Sequence, residues 1–167
     1  MGKSIFKNIV FKFILNLFNL VVPILIGPYV VRKLGPDLMG TVNFAQTIFG
    51  YFFIFAGFGV YQYGLREISR VRHNKQLLSK TFTSLFIFTG MTTIITTIAY
   101  VFFIKYMYSG RIVYTACIIL TFNLIANIFY VEWINEVLEN YDFITIKTII
   151  VRIIYIILLF VLSLIHI

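Results

Sequence analysis

Five apolar runs fill most of this 167-residue chain, at about residues 13–31, 41–63, 81–104, 112–131 and 143–161, and none contains an aspartate or a glutamate. At 1.5 Å per residue the first run covers roughly 28 Å as a helix, enough to cross the hydrocarbon of a bilayer. A chain that is 60% hydrophobic and 12% charged has too little polar surface to cover a water-soluble core. The expected fold class is therefore all-α, a polytopic transmembrane helix bundle with about five spans.

The net charge of +8 would favour nucleic acid in a soluble protein. Here the basic residues flank apolar runs, where they set membrane orientation instead, and no nucleic-acid partner is expected. Lys3, Lys7, Lys12, Arg66, Arg70, Arg72, Lys75, Lys80 and Lys147 fall on one side of the five-span topology. Arg32, Lys33, Lys105 and Arg111 fall on the other. The richer side faces the cytoplasm, so the expected N-terminus is cytoplasmic. The N-terminal run is too long for a cleavable signal peptide, and no small-residue cleavage site follows before Arg32. Cys117, the single cysteine, lies in an apolar run and reads as a packing residue.

Between the first two runs lies a distinctive stretch, Pro23 to Gly40. Pro23 and Pro28 interrupt the helical ladder and are expected to kink the first span. Arg32 and Lys33 end it, and Gly35-Pro36 is expected to form a short polar hairpin. Residues 1–12, with three lysines, read as an amphipathic lead-in at the membrane surface. Gly50, Gly57 and Gly59 are expected to let a neighbouring helix approach closely, and Thr89, Thr93 and Thr97 form a weakly polar stripe suited to helix contact or to lining a solute path. Arg66, Arg70, Arg72 and Lys75 make a basic cytoplasmic loop. Glu132, Glu136 and Glu139 share a face of an interfacial helix, beside Trp133 and Tyr141.

No phosphate-binding glycine loop, HExxH or cysteine cluster is present, so neither an enzyme nor a cofactor or metal site is expected. The costly residue is Arg152, about nine residues into the fifth run, where a charge costs about 2.5–3.5 kcal/mol. By depth it is level with Asn123 and near Asn127 and Asn19. These residues and Asn16 are the candidate lining of an inward-facing polar cavity, with Arg152 suited to phosphate by its permanent charge and planar fork of donors. The alternative is that Arg152 pairs with a neighbouring helix or with the half of the protein expected beyond this chain.

Three stretches then carry a resemblance. Pro28-Tyr29-x-x-Arg32-x-Leu34-Gly35-Pro36-x-x-x-Gly40, Val42-Asn43-Phe44-Ala45-Gln46-Thr47 and Tyr63-Gly64-x-Arg66-Glu67-Ile68 are similar to the N-terminal part of Wzx-type flippases. These form the polysaccharide-biosynthesis branch of the MATE-like exporter superfamily. Glu132-Trp133-x-x-x-x-x-Glu139-x-Tyr141 and Thr145-Ile146-Lys147-Thr148 match as well, while Glu136-Val137 stands where relatives often have Gln-Gly.

The resemblance implies two bundles of about six helices around a central cavity. It also implies flipping of undecaprenyl-pyrophosphate-linked oligosaccharide repeats from the cytoplasmic to the outer leaflet. The implied location is the bacterial inner membrane. The implied partners are the lipid bilayer, the lipid-linked oligosaccharide and other polysaccharide-assembly membrane proteins. Residues 1–161 are then the N-terminal part of a flippase domain. The alternatives are a multidrug or ion-coupled exporter of the same superfamily, disfavoured by the lack of acids in the spans, and a non-transporting membrane scaffold.

The last six residues, Leu162-Ser163-Leu164-Ile165-His166-Ile167, are what CTGTCTCTTATACACATC encodes, which resembles a transposase end sequence used in sequencing libraries. Residues 162–167 are accordingly expected to be a non-native tail, and the chain to be cut off inside its fifth span.

Overall fold

The structure, a computed structural model, describes the backbone of residues 5–165 and the side chains of residues 6–161. Lys3, the side chains of the last six residues and the whole of His166 lie outside the described residues. The described chain is helical throughout: α1 (Ile5–Gly57), α2 (Val60–Val71), α3 (Lys75–Tyr108), α4 (Ile112–Ala126), a 3₁₀ turn (Asn127–Phe129), α5 (Glu132–Val137) and α6 (Tyr141–Ile165).

Four segments are long and apolar enough to cross a membrane: Phe6–Val71, Lys75–Tyr108, Ile112–Val137 and Tyr141–Val161. The first holds 66 residues, roughly 100 Å of helix at 1.5 Å per residue. That is about three times the hydrocarbon thickness, so it contains two of the expected spans. The break falls at Gly35, whose φ of 73° and ψ of 169° are non-helical. These dihedrals belong to a region open essentially to glycine alone. The polar hairpin expected around Gly35-Pro36 is thus reduced to one residue, with helix on either side. Pro23 and Pro28 keep helical dihedrals.

The second expected span also ends earlier than its apolar run. Phe58 (φ 41°) and Gly59 (φ 72°) both adopt left-handed backbone and stop α1 at Gly57. The residues beyond form α2, which buries Val60, Gly64 and Ile68 at four-residue spacing and exposes Arg66 and Arg70. The basic loop expected on the cytoplasmic side is therefore mostly a helix. It turns at His73, and Asn74 caps α3 by accepting from the backbone N–H groups of Gln76 and Leu77, each at 3.1 Å.

The chain divides into two compact units. Tyr29–Ile134 forms the larger. Its core joins Ala45, Ile48 and Ala56 of α1 to Tyr100 and Ile104 of α3 and Cys117 and Leu124 of α4. The Tyr100 hydroxyl donates to the Cys117 carbonyl at 3.0 Å, and the Thr92 hydroxyl to the Ala56 carbonyl at 2.9 Å. Paired contacts at 100 with 117 and at 93 with 127 show that α3 and α4 run antiparallel. Outside this core the pattern is that of a protein dissolved in lipid: Phe102, Ile119 and Phe122 are exposed while Thr93 and Thr96 are buried.

The other unit takes the residues up to Pro28 and those from Asn135 onward. The buried Thr145 hydroxyl donates to the Phe11 carbonyl at 3.2 Å, and Lys7 lies 3.7 Å from Asp142. Lys12 sits over the Tyr141 ring at 5.3 Å. Phe11–Thr145 lies further along both helices than Lys7–Asp142, the order of a parallel pair, while the long Lys12 side chain reaches back to Tyr141.

Candidate functional site

Gly64 and Trp133, 69 positions apart, meet face to face. A Cβ placed on Gly64 would stand 2.8, 3.0 and 3.1 Å from three atoms of the Trp133 ring system. Only a residue without a side chain lets α2 close on the indole. Two of the stretches that carry the family resemblance, Tyr63-Gly64 and Glu132-Trp133, are thereby one contact in space. Phe82 of α3 completes the seat, with its ring 5.8 Å from that of Trp133, and leaves the indole 3% exposed.

This contact walls a cavity of about 330 Å³ in the larger unit, lined by Phe53, Gly57, Val60, Tyr61, Thr89, Asn127, Tyr130 and Trp133. The volume lies within the range of small-molecule pockets. Two interruptions of helix create it. One is the left-handed pair Phe58–Gly59, and the other is the 3₁₀ turn after Ala126. The Tyr61 and Tyr130 rings beside these interruptions are nearly parallel, 22° apart with centroids at 6.4 Å. Asn127 is 7% exposed, and its Nδ2 donates to Thr93 Oγ1 at 3.3 Å. Its Oδ1 accepts from no described residue, although it is not sealed off from the cavity.

The five polar residues expected to share a cavity fall in different units. Asn123 and Asn127 belong to the larger one, and Asn16, Asn19 and Arg152 to the other. Asn127 lines the cavity just described, whereas Asn123 is exposed on α4. In the other unit, the parallel packing sets α6 against α1 with an offset of 134 to 135 residues. Arg152 lies seven residues beyond the last of these contacts, and no described contact joins it to Asn16 or Asn19. Arg152 is half-buried about 16 Å along α6, and no described residue offers it an acceptor within bonding distance. Asn19 Oδ1 is buried without a partner and Asn16 is exposed.

Of the other singled-out residues, Pro23, Pro28, Arg32, Pro36 and Gly40 lie within helix and are exposed. Arg70 pairs with Glu67 at 3.1 Å, and Arg72 donates to His73. Gly50, Gly57 and Gly59 meet nothing within 4 Å of a Cβ among the described residues; the close approach expected there occurs at Gly64 instead. Thr93 of the threonine stripe makes an interhelical contact, and Thr89 lines the cavity. Sequence reasoning placed Trp133 at the membrane interface and passed over Tyr61 and Tyr130; an aromatic beside each polar or glycine break was the available signal. Among the described residues no cluster of histidine, cysteine or acidic side chains has metal-site geometry.

Residues 5–166 match the model of the family described as Polysaccharide biosynthesis protein. A curated relative, the "Putative O-antigen transporter" of Escherichia coli (strain K12), is 25% identical over 154 residues. That alignment takes in 89% of this chain and 36% of the relative, so the chain spans about a third of that protein's length. No solved structure matches. A match over nearly the whole chain, together with apolar helices suited to a multi-pass membrane protein, shows that this chain belongs to the polysaccharide biosynthesis protein family.

Proposed function

We propose that this chain is part of a transporter, not an enzyme, that moves lipid-linked oligosaccharide repeats from the cytoplasmic to the outer leaflet of the bacterial inner membrane. Residues 1–161 supply the N-terminal part of its transmembrane domain, with the N-terminus in the cytoplasm. Family membership supports transport of a polysaccharide precursor. The excess of lysine and arginine on one side supports the orientation.

The observation that carries the substrate reading is Arg152. A half-buried arginine in the middle of an apolar helix, with no described acid beside it, is costly unless it has a ligand. An anion supplies one. Arg presents a fixed fork of donors that two phosphate oxygens accept together, and Asn16 and Asn19 of the same unit are candidate amide contacts. The pyrophosphate that joins a polyprenyl chain to a glycan is an anion of that kind. Within the larger unit, Asn123 and Asn127 are themselves candidate substrate contacts.

The test uses the full-length gene in a host lacking its own flippase. Arg152→Ala should abolish surface polysaccharide while the protein remains in the membrane, and Arg152→Lys should restore part of it. Normal surface polysaccharide from Arg152→Ala would overturn the assignment.

A further inference from the structure

Asn127 lines the cavity walled by Tyr61, Tyr130 and Trp133, whose aromatic surface has no role in the phosphate-centred reading above. We propose that this cavity is a sugar subsite, which receives a neutral pyranose ring of the transported glycan; this rests on the transport reading and assigns it a second contact, separate from Arg152.

The lining has the two chemistries that a pyranose needs. A pyranose offers an apolar face of C–H groups and a rim of hydroxyls. Aromatic faces meet the first. Here Tyr61, Tyr130 and Trp133 line one cavity, and Phe53 adds apolar surface. Tyrosine and tryptophan supply large, rigid faces with few rotamers to immobilise. The rim needs convergent hydrogen-bonding groups, and Asn127 and Thr89 line the same space. Thr89 already donates to the Leu85 carbonyl at 2.9 Å, so it is left to accept. Asn127 is 7% exposed, with its amide nitrogen committed to Thr93 and its oxygen unpartnered. Both groups therefore accept, and both suit hydroxyl donors.

An isoprenoid or acyl chain satisfies only half of this lining. It would cover the rings but leave Asn127 Oδ1 desolvated with no donor, which is unfavourable in a low-dielectric site. A phosphate is disfavoured at these two oxygens, where acceptors would face acceptors. The interruptions at Phe58–Gly59 and at Asn127–Phe129 follow the pattern of membrane transporters, in which broken helices build the solute site. Gly64 has a positioning role: without a Cβ there, the indole of Trp133 can stand as the cavity wall.

Trp133 is the only tryptophan in the sequence, so its fluorescence reports on this cavity alone. The experiment uses the full-length protein in nanodiscs, with tryptophans outside this segment replaced by phenylalanine. The probe is the oligosaccharide released by mild acid from the source strain's own surface polysaccharide, and farnesyl phosphate is the comparison. The oligosaccharide should shift Trp133 emission saturably. Asn127→Leu should weaken that response about tenfold, the scale of one lost hydrogen bond together with an orphaned hydroxyl. Tyr61→Phe, which keeps the ring, should leave it within about twofold. A response to farnesyl phosphate but not to the oligosaccharide would make the cavity a lipid site and overturn the proposal, as would no response to either. An Asn127→Leu protein that is monodisperse and binds with unchanged strength would also overturn it. The Arg152→Ala complementation result is independent: polysaccharide lost there, with no sugar response at Trp133, sinks the subsite and leaves the transport reading standing.

Discussion

Replacing Gly64 with alanine tests the contact on which the larger unit's cavity depends, and the sign of its effect should depend on residue 133. Gly64 lies inside α2, so alanine should gain about 0.5–1 kcal/mol from the lower backbone entropy of the unfolded chain. Against this, the new methyl would stand 2.8 Å from one Trp133 ring carbon and 3.0 and 3.1 Å from two others. Neither side can give easily: Trp133 is 3% exposed and already packs on Phe82. Overpacking of this kind costs about 1–3 kcal/mol. The net expectation is a loss of up to about 2.5 kcal/mol in the parent protein. Trp133→Val has no atom beyond Cγ and removes all three contacted ring atoms. In that background Gly64→Ala should become stabilising by its propensity gain alone. The coupling between the two sites should then be about 1–3 kcal/mol. The assay is the temperature at which half of the detergent-solubilised protein still elutes monodisperse, measured for the parent, both single variants and the double variant. Equal effects of Gly64→Ala with and without Trp133 would refute the contact. Stabilisation by Gly64→Ala in the parent would do the same.

Two further outcomes follow from the backbone and the core. Gly35→Ala should destabilise by about 1–3 kcal/mol, because φ 73° with ψ 169° is open essentially to glycine; an unchanged midpoint in the same elution assay would show that the break tolerates a side chain. Tyr100→Phe removes the hydroxyl that donates to the Cys117 carbonyl at 3.0 Å and should cost about 0.6 kcal/mol, the average for interhelical hydrogen bonds in a membrane. A loss above about 2 kcal/mol would mean that the hydroxyl holds more than this bond.

The spans were legible because charge and hydrophobicity mark them directly. Apolar runs without acids, separated by basic clusters, leave few alternatives to a helix bundle in lipid. Helix breaks were legible only where a side chain announced them. Gly35 did so beside Pro36, although the expected hairpin shrank to one residue. The 3₁₀ turn at Asn127-Ile128-Phe129 sits inside an apolar run with no glycine or proline, and nothing local distinguishes it from continued helix. A related limit shows at Asn123 and Asn127, one ordinary helical turn apart. Four apart, they should share a helix face, yet one is exposed and the other buried. Asn127 continues the buried stripe of Cys117 and Leu124, whereas Asn123 stands just off it, and the inward face meets Thr93, a partner 34 residues away that no local pattern reveals. The glycines show the same limit. Gly50, Gly57, Gly59 and Gly64 look alike in sequence, and only the position of Trp133 decides which one needs to lack a Cβ.

The packing of α1 on α6 also decides how the chain must be counted. Taken as one crossing each, the four apolar segments would send α6 back through the membrane opposite to α1. The contacts of Lys7 with Asp142 and of Thr145 with Phe11 require the reverse, because residue numbers rise together along both helices. Two parallel crossing helices need an odd number of crossings between them. Helices α3 and α4 supply two, so a third must come from α1 itself, and the segment beyond Gly35 is the part long enough to provide it. Residues 36–57 make roughly 33 Å of helix, about the thickness of the hydrocarbon. The glycine-only dihedrals of Gly35 therefore stand where the chain has to change from its first span to its second. A residue about 45 Å along α1 from Ile5 is also beyond the depth that a single crossing can use. Five spans, with Arg32 and Lys33 near the first turn and the arginines of α2 after the second span, satisfy both the register and the distribution of charge.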